Sequence, residues 1–280
     1  MVTAGRTDCA NSILVRVSPE FGQHHRVSES TRSLLHGRAR YTSVICRDIR
    51  TGDVEPLVTV GGRINLVRLS PDGRWLLFFN RRGPVLDTLG PDPWQTHTRI
   101  MRAPIEGGMA EEIGATTGWG NAHCSSASRC VLMDGNDLYE LDAVKGKGAR
   151  FGTLPRWAAA ANVSADGSEF YYVVGPNEPR NRIRAVSLVR KADREILVRD
   201  ATNLGSLDTL ADGSGWLAAN YDPLRDRVQL LYITMDGRSR VLWAPPGLHV
   251  EYAIPSRDGK HVAIEANALK TNAWMLTGFR

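Results

Sequence analysis

SPDGRWLLF, at residues 70–78, places an Asp-Gly pair just before an apolar run, and the same pattern returns three more times. The other copies are SADGSEFYYV at 164–173, ADGSGWLAA at 211–219 and SRDGKHVAIE at 256–265. Asp-Gly accepts the positive φ of a tight hairpin turn, and the apolar run suits a strand. Each copy therefore predicts a turn between two antiparallel strands, formed by Asp72, Gly73, Asp166, Gly167, Asp212, Gly213, Asp258 and Gly259.

The spacing of these turns indicates a repeat. Asp166, Asp212 and Asp258 are 46 residues apart, and Asp72 precedes Asp166 by 94, about twice that distance. The doubled gap predicts a further copy at CSSASRCVL, 124–132, with Ala127 in the aspartate position. A weaker sixth copy is VSPEFG at 17–22, with Glu20 in that position.

Most repeats also contain a second polar turn, such as RTGD at 50–53, IEGG at 105–108 and MDGR at 235–238. Two turns separate about four short strands per repeat, which is the content of one propeller blade. We therefore predict an all-β, six-bladed propeller with four-stranded antiparallel blades. Residues 1–10 form a flexible N-terminus, and 11–280 form one domain with blades at about 11–60, 61–118, 119–158, 159–204, 205–249 and 250–280.

The SPDGRW turn and its apolar strand resemble the TolB-like and WD40-like propeller repeats of bacterial proteins. PSRDGKHVAIEANALKTNAWMLTGF at 255–279 and GWGNAHCSSASRCVLM at 118–133 resemble blades from the C-terminal propeller of acidobacterial-type proteins. In those proteins the propeller follows a Ser/Thr kinase or a winged-helix regulator. The resemblance covers 61–280 well and 1–60 poorly, and it implies a sensor or interaction domain.

Composition narrows the function classes. Hydrophobic residues make up 42% of the chain and charged residues 23%, which is typical of globular proteins. The formal charge of +5 is small for 280 residues, and its basic clusters lack interleaved aromatics, so no nucleic-acid partner is expected. No apolar run is long enough for a membrane span, and no secretory signal is visible.

Motifs of common enzymes are absent from the sequence. It contains no GxSxG, no GxxxxGK[ST] and no HExxH, and the cysteines have no CxxC spacing. We therefore expect no catalytic residues, no metal site and no cofactor. A hydrolase or lyase that uses polar channel residues is the less favoured alternative.

The inner strands supply candidate binding residues. Four residues before each aspartate position, the successive repeats carry Arg16, Arg68, His123, Asn162, Asp208 and Ile254. The next position is mostly apolar, so strand alternation puts the two sets on opposite sides. We predict that the five polar members, Arg16, Arg68, His123, Asn162 and Asp208, face the central channel and bind a ligand. The alternative is a merely hydrated channel.

Cys124 and Cys130 flank the third turn, so a cross-strand disulfide is geometrically feasible. Two free thiols are the alternative. A disulfide would favour an extracytoplasmic setting, whereas the chain as written would stay in the cytoplasm. A start upstream of Met1, adding a membrane anchor or a regulatory domain, would place the propeller in the periplasm.

These observations predict a non-catalytic, monomeric binding propeller, a sensor or interaction module of a bacterial signalling protein. Its partner would be a protein, a peptide or a small polar ligand. A stand-alone periplasmic scaffold of the TolB type is the alternative.

Overall fold

A computed structural model describes residues 13–17, 41–47, 54–81, 98–117, 120–126, 129–154, 158–175, 179–190 and 192–268. All regular structure in these ranges is β-strand. No helix capable of crossing a membrane occurs among them. The predicted flexible segment 1–10 and the turn residue Ala127 lie outside the described residues.

Four sheets contain four strands each, joined in simple up-and-down order. The first comprises β4 (Arg63–Leu69), β5 (Trp75–Arg81), β6 (Thr98–Pro104) and β7 (Glu111–Thr116). The second comprises β8 (Gly120–Cys124), β9 (Cys130–Asp134), β10 (Asp137–Asp142) and β11 (Gly146–Thr153). The third comprises β12 (Ala158–Val163), β13 (Glu169–Val174), β14 (Arg182–Ser187) and β15 (Asp193–Leu197). The fourth comprises β16 (Asp208–Thr209), β17 (Gly215–Asp222), β18 (Arg227–Thr234) and β19 (Ser239–Trp243).

Two smaller sheets flank these four in sequence. Before them stands a three-stranded sheet of β1 (Ile13–Val17), β2 (Tyr41–Arg47) and β3 (Val54–Gly61). After them stands a two-stranded sheet of β20 (Leu248–Pro255) and β21 (Val262–Ala268). Four-stranded antiparallel blades are thus confirmed for four sheets within the described ranges, and the count of six blades stays a prediction.

The first strands of successive sheets contact one another, β4 with β8, β8 with β12, β12 with β16 and β16 with β20. Sheets arranged in this way surround a common axis, which is the arrangement of a β-propeller. The second strands are buried almost throughout, as in Glu169–Val174 and Cys130–Asp134. Both of their faces are covered by neighbouring sheets, which explains their continuous apolar runs.

Aromatic side chains after the turns fill the space between sheets. Trp216 is fully buried, and its ring meets Tyr171 of the preceding sheet edge-to-face with centroids 5.0 Å apart. Phe170 is also fully buried. Trp75 differs, because it is only partly buried and lies 4.4 Å beneath the guanidinium carbon of Arg102.

Three of the four Asp-Gly turns share one hydrogen-bond pattern, and the turn at Asp212 has Leu210 in place of the serine. In the third four-stranded sheet the Ser164 hydroxyl donates to Asp166 Oδ1 at 2.6 Å and accepts from the Glu169 amide at 2.9 Å. The Ser168 amide also donates to Asp166 Oδ1, at 3.0 Å. The same bonds recur at Ser70–Trp75 and Ser256–His261. These bonds hold the pKa of Asp166 below its usual value, with the Ser164 hydroxyl as the largest cause.

Glycine completes each of these turns because the backbone enters the left-handed region. Gly73, Gly167, Gly213 and Gly259 have φ values of 74°, 77°, 72° and 68°. A side chain at such a φ brings its Cβ too close to the following carbonyl.

The turn of the β8–β9 hairpin is built differently. The Ser125 amide donates to the Arg129 carbonyl at 2.7 Å, so this turn is one residue shorter than the turn that pairs Ser70 with Trp75. Cys124 and Cys130 pair directly across the hairpin and form a disulfide. A covalent bond thus joins the two strands where the Asp-Gly pair is missing.

Arg257 connects the last sheet to the first four-stranded sheet. It lies in the turn between β20 and β21, and its guanidinium donates to the Pro71 carbonyl at 3.0 Å and to the Ser70 carbonyl. The last sheet and the second sheet of the chain are therefore in contact at the ends of their inner strands.

Candidate functional site in the central channel

The first strands of three sheets bring Arg68, Asn162 and Asp208 together. Arg68 Nη2 lies 3.7 Å from Asp208 Oδ1. The Asn162 amide donates to the same Asp208 oxygen at 3.0 Å and to the Leu207 carbonyl at 3.2 Å. The side chains of Arg68 and Asp208 are only 13% and 6% exposed, so the ion pair is largely removed from bulk water.

A bulge in β4 orients Arg68. The β4–β5 register shifts between Asn65 and Arg68, and Leu66 inside the shift has a φ of 47°. A bulge bends its strand and redirects the side chain that follows, and a non-glycine residue at positive φ is uncommon. The bulge immediately precedes Arg68, whose guanidinium meets Asp208 of β16.

The ion pair compensates only part of the cost of burying Asp208. Burial raises the pKa of the Asp208 carboxyl, while the Arg68 charge and the Asn162 hydrogen bond act in the opposite direction and are outweighed. A contact of 3.7 Å is too long for a direct hydrogen bond, so the pair does not return the full desolvation cost.

His123, on the first strand of the remaining four-stranded sheet, is fully enclosed. It is 3% exposed, and its ring packs edge-to-face on Phe170 with centroids 5.8 Å apart. Burial, followed by the nearby Arg68 charge, lowers the pKa of His123 to about 3, so the imidazole is neutral at physiological pH. Both ring nitrogens are buried and have no hydrogen-bond partner among the described residues.

Four of the five residues predicted to face the channel are therefore near one another at the inner strands. We call Arg68, His123, Asn162 and Asp208 the channel site. The fifth, Arg16, lies in β1 opposite Val44, and the structure describes only its backbone. Ile254, the apolar member of the register, is 37% exposed.

Tyr252 was not among the residues predicted to face the channel. Its side chain is 37% exposed, and the charges of Arg68 and Asp208 both act on the pKa of its phenol. Burial, followed by Glu251 and Glu265, raises the pKa of its phenol, and Arg68 lowers it. Tyr252 lies two residues before Ile254, so strand alternation places both on the same side of β20. The same rule could have predicted from the sequence that Tyr252 faces the channel.

Within the described ranges, two further polar atoms of the inner strands are buried without a partner, the Asn121 side-chain oxygen and the Thr209 hydroxyl. Buried polar groups are nearly always satisfied by protein, water or ligand. Strand alternation places Asn121 on the same side of β8 as His123, but Thr209 on the side of β16 opposite Asp208, so only the Asn121 oxygen bears on the channel site. Across the described ranges, no three His, Cys, Asp or Glu side chains form a group that could hold a metal.

No protein-family model and no curated protein sequence matches the chain. Solved structures do resemble it. A putative TolB from Agrobacterium tumefaciens has a TM-score of 0.64 at 17% identity, over 83% of this chain and 79% of that one. TolB from Acinetobacter baumannii has a TM-score of 0.56 at 16% identity, over 73% of this chain and 49% of that one, so this chain spans about half its length.

An enzyme shares the same architecture. An oligogalacturonate lyase solved in complex with manganese has a TM-score of 0.54 at 14% identity, over 80% of this chain and 69% of that one. Identities this low carry information on fold and none on activity. The channel site thus lies on a β-propeller with the fold of the TolB-like proteins.

Proposed function

We propose that this chain is a non-catalytic binding propeller whose channel site holds a small polar ligand. The observation that carries the proposal is the convergence of four unlike polar side chains from four sheets, with an ion pair 3.7 Å long and an unsatisfied imidazole. A structural ion pair would be expected to close to hydrogen-bond distance. An ion pair that is too long for a hydrogen bond, and an imidazole without a partner, are instead what a ligand-binding site shows before its ligand is bound.

We also propose that the ring has six blades, with the β1–β3 and β20–β21 sheets as the first and last. The contact of β2 with β4 and that of β16 with β20 support this placement. The chain would then be a module of a signalling protein that senses the ligand. Translating the DNA upstream of Met1 tests this role, since an in-frame kinase or winged helix would support it and an adjacent stop codon would count against it.

A thermal-shift screen with a library of amino acids, organic acids, sugars, nucleotides and short peptides tests the binding function. At least one compound should raise the melting temperature of the wild-type chain, and the Arg68→Ala/Asp208→Ala variant should lose that shift. Asp212→Ala, in an exposed turn four residues beyond Asp208, is the matched control and should keep it. An equal shift in the channel variant would refute the channel as the binding site.

A lyase is the second candidate because of the structural likeness to oligogalacturonate lyase. The described site supports it less well, since a neutral imidazole with a pKa of about 3 is a weak general base at neutral pH. Incubation with oligogalacturonate, with and without manganese, should produce no unsaturated uronate product by ultraviolet absorbance. A TolB-like scaffold function would instead appear as capture of a protein partner that the channel variant still binds.

A further inference from the structure

Arg68 and Asp208 leave most of their hydrogen-bonding capacity unused. A guanidinium has five N–H donors, and a carboxylate has about four acceptor sites. Arg68 donates to the Val67 carbonyl at 3.2 Å, and its other terminal nitrogen stays 3.7 Å from Asp208. Asp208 accepts from Asn162 through Oδ1. The second carboxylate oxygen and the remaining guanidinium donors have no partner within the described chain.

His123 is an independent sign of a missing occupant. It is more than nine-tenths buried, it lies beside Arg68, and neither ring nitrogen finds a partner in the part of the chain that the structure describes. A neutral imidazole carries one donor and one acceptor, and leaving both unpaired in the interior is costly. A polar molecule, together with the water that accompanies it, would satisfy these atoms.

The unused groups specify two features of the ligand. The planar fork of Arg68 matches a carboxylate bidentately. The free oxygen of Asp208 requires a donor, either an ammonium or a hydroxyl. Because Arg68 and Asp208 are 3.7 Å apart, the two ligand groups must stand close together. An α-amino acid meets this condition, since its ammonium and carboxylate share one carbon and lie about 3 Å apart.

Charge balance distinguishes an amino acid from other small carboxylates. Arg68 and ionised Asp208 sum to zero, and the imidazole of His123 is uncharged at neutral pH. A zwitterion keeps the buried site neutral, whereas a hydroxy acid adds one negative charge and an amino amide adds one positive charge. Uncompensated charge in the interior is strongly disfavoured.

Tyr252 and Ile254 indicate the kind of ligand side chain. Both side chains are 37% exposed, they lie two residues apart on β20, and Tyr252 is within electrostatic range of Arg68 and Asp208. An aromatic ring and a branched aliphatic chain together present an apolar surface. This surface would cover the side chain of a ligand whose charged groups are held by Arg68 and Asp208.

We propose that the channel site binds free α-amino acids with apolar side chains as zwitterions, with the carboxylate on Arg68 and the ammonium on Asp208. The proposal rests on the binding function proposed above and specifies its ligand. Asn162 orients Asp208 through its hydrogen bond of 3.0 Å. His123 faces the occupied site with a neutral ring.

Isothermal titration calorimetry on the full chain tests the proposal with L-leucine and three analogues. Leucinamide lacks the negative charge, N-acetyl-leucine lacks the positive charge, and 2-hydroxy-4-methylpentanoate replaces the ammonium with a hydroxyl. Leucine should bind at least tenfold more tightly than each analogue. Equal affinity for leucine and the hydroxy acid would overturn the proposal, and this result needs no variant.

Two variants locate the interaction. Arg68→Gln and Asp208→Asn should each weaken leucine binding at least tenfold, and Asp212→Asn should leave it unchanged. In Asp208→Asn the preference for leucine over the hydroxy acid should shrink, because the acceptor charge that selects the ammonium is gone. Unchanged binding of leucine by both channel variants would contradict the proposal.

The two proposals can fail separately. If leucine does not bind but another compound stabilises the wild type and not Arg68→Ala/Asp208→Ala, the channel function stands and the amino-acid assignment falls. If no compound produces a shift that depends on these residues, both fall.

Discussion

The channel position lies four residues before the aspartate of each turn, yet the two positions differ in how far their residues are repeated from copy to copy. At the turns, three of the four Asp-Gly copies keep the same hydroxyl, carboxylate and amide bonds. At the channel position the copies carry arginine, histidine, asparagine, aspartate and isoleucine. The turns therefore do the same structural work in several blades, whereas the unlike residues at the channel position make an asymmetric site within a repeated frame.

The two regions also differ in solvation. Asp166 and Asp258 at the turns are held by local hydrogen bonds that lower their pKa. Asp208 in the channel is buried, and its pKa is raised despite the Arg68 charge. Local hydrogen bonds are thus sufficient to stabilise the ionised turn carboxylates, while the channel carboxylate is stabilised by contacts with Arg68 and Asn162 of other sheets.

The largest expected effect is the response of the channel to acid. Because the pKa of His123 falls to about 3 from an unfolded value of 6.5, the unfolded chain binds more protons between these limits. The free energy of unfolding should therefore fall as the pH drops from 6.5 to 3, by on the order of 4 kcal/mol from this residue. In His123→Leu that contribution should vanish, leaving a flatter profile in urea titrations.

His261→Leu, at an exposed position in the β20–β21 turn, is the matched control and should retain the wild-type slope. A wild-type slope in His123→Leu as well would mean that the imidazole is not enclosed in the native state.

The next effect concerns the ion pair across the channel. Arg68→Met leaves Asp208 buried without its cation, so the free energy of unfolding should fall by about 3 kcal/mol. Adding Asp208→Leu removes the stranded carboxylate and should recover most of this loss, as measured by chemical denaturation. Strictly additive losses would show that the two side chains do not interact.

The exposed pair Arg182–Glu195, with side chains 47% and 36% accessible, provides the comparison. Solvent screens such pairs, so Arg182→Met should cost less than about 1 kcal/mol.

A third effect, smaller than those in the channel, concerns a single turn. Gly213 has a φ of 72°, and a Cβ placed there would meet only the Ala165 side chain, at 3.8 Å. Gly213→Ala is therefore sterically open, and backbone strain alone should cost about 1 to 2 kcal/mol in thermal denaturation. Ligand binding should persist, which separates the turns from the channel site. Gly61→Ala, where a Cβ meets nothing within 4 Å and φ is not positive, should be near neutral.

The amino-acid sequence alone was enough to predict the turns, the strands that flank them and the inner-strand position of the channel site. Turn chemistry and strand alternation are local properties, and both can be read over fewer than ten residues. The 46-residue spacing then aligned Asn162 with Asp208, which the structure joins by a hydrogen bond.

Other features depended on the tertiary structure. No local sequence pattern predicted the bulge at Leu66, the shortened turn beside Cys124 or the hydrogen bond from Arg257 to Pro71. The pairing of Arg68 with Asp208 was equally hidden, because distances across the channel are set by how the sheets pack around the axis. The sequence determined which residues could face the channel; only the closed packing of the sheets decided which of them meet, and how completely water is excluded from them.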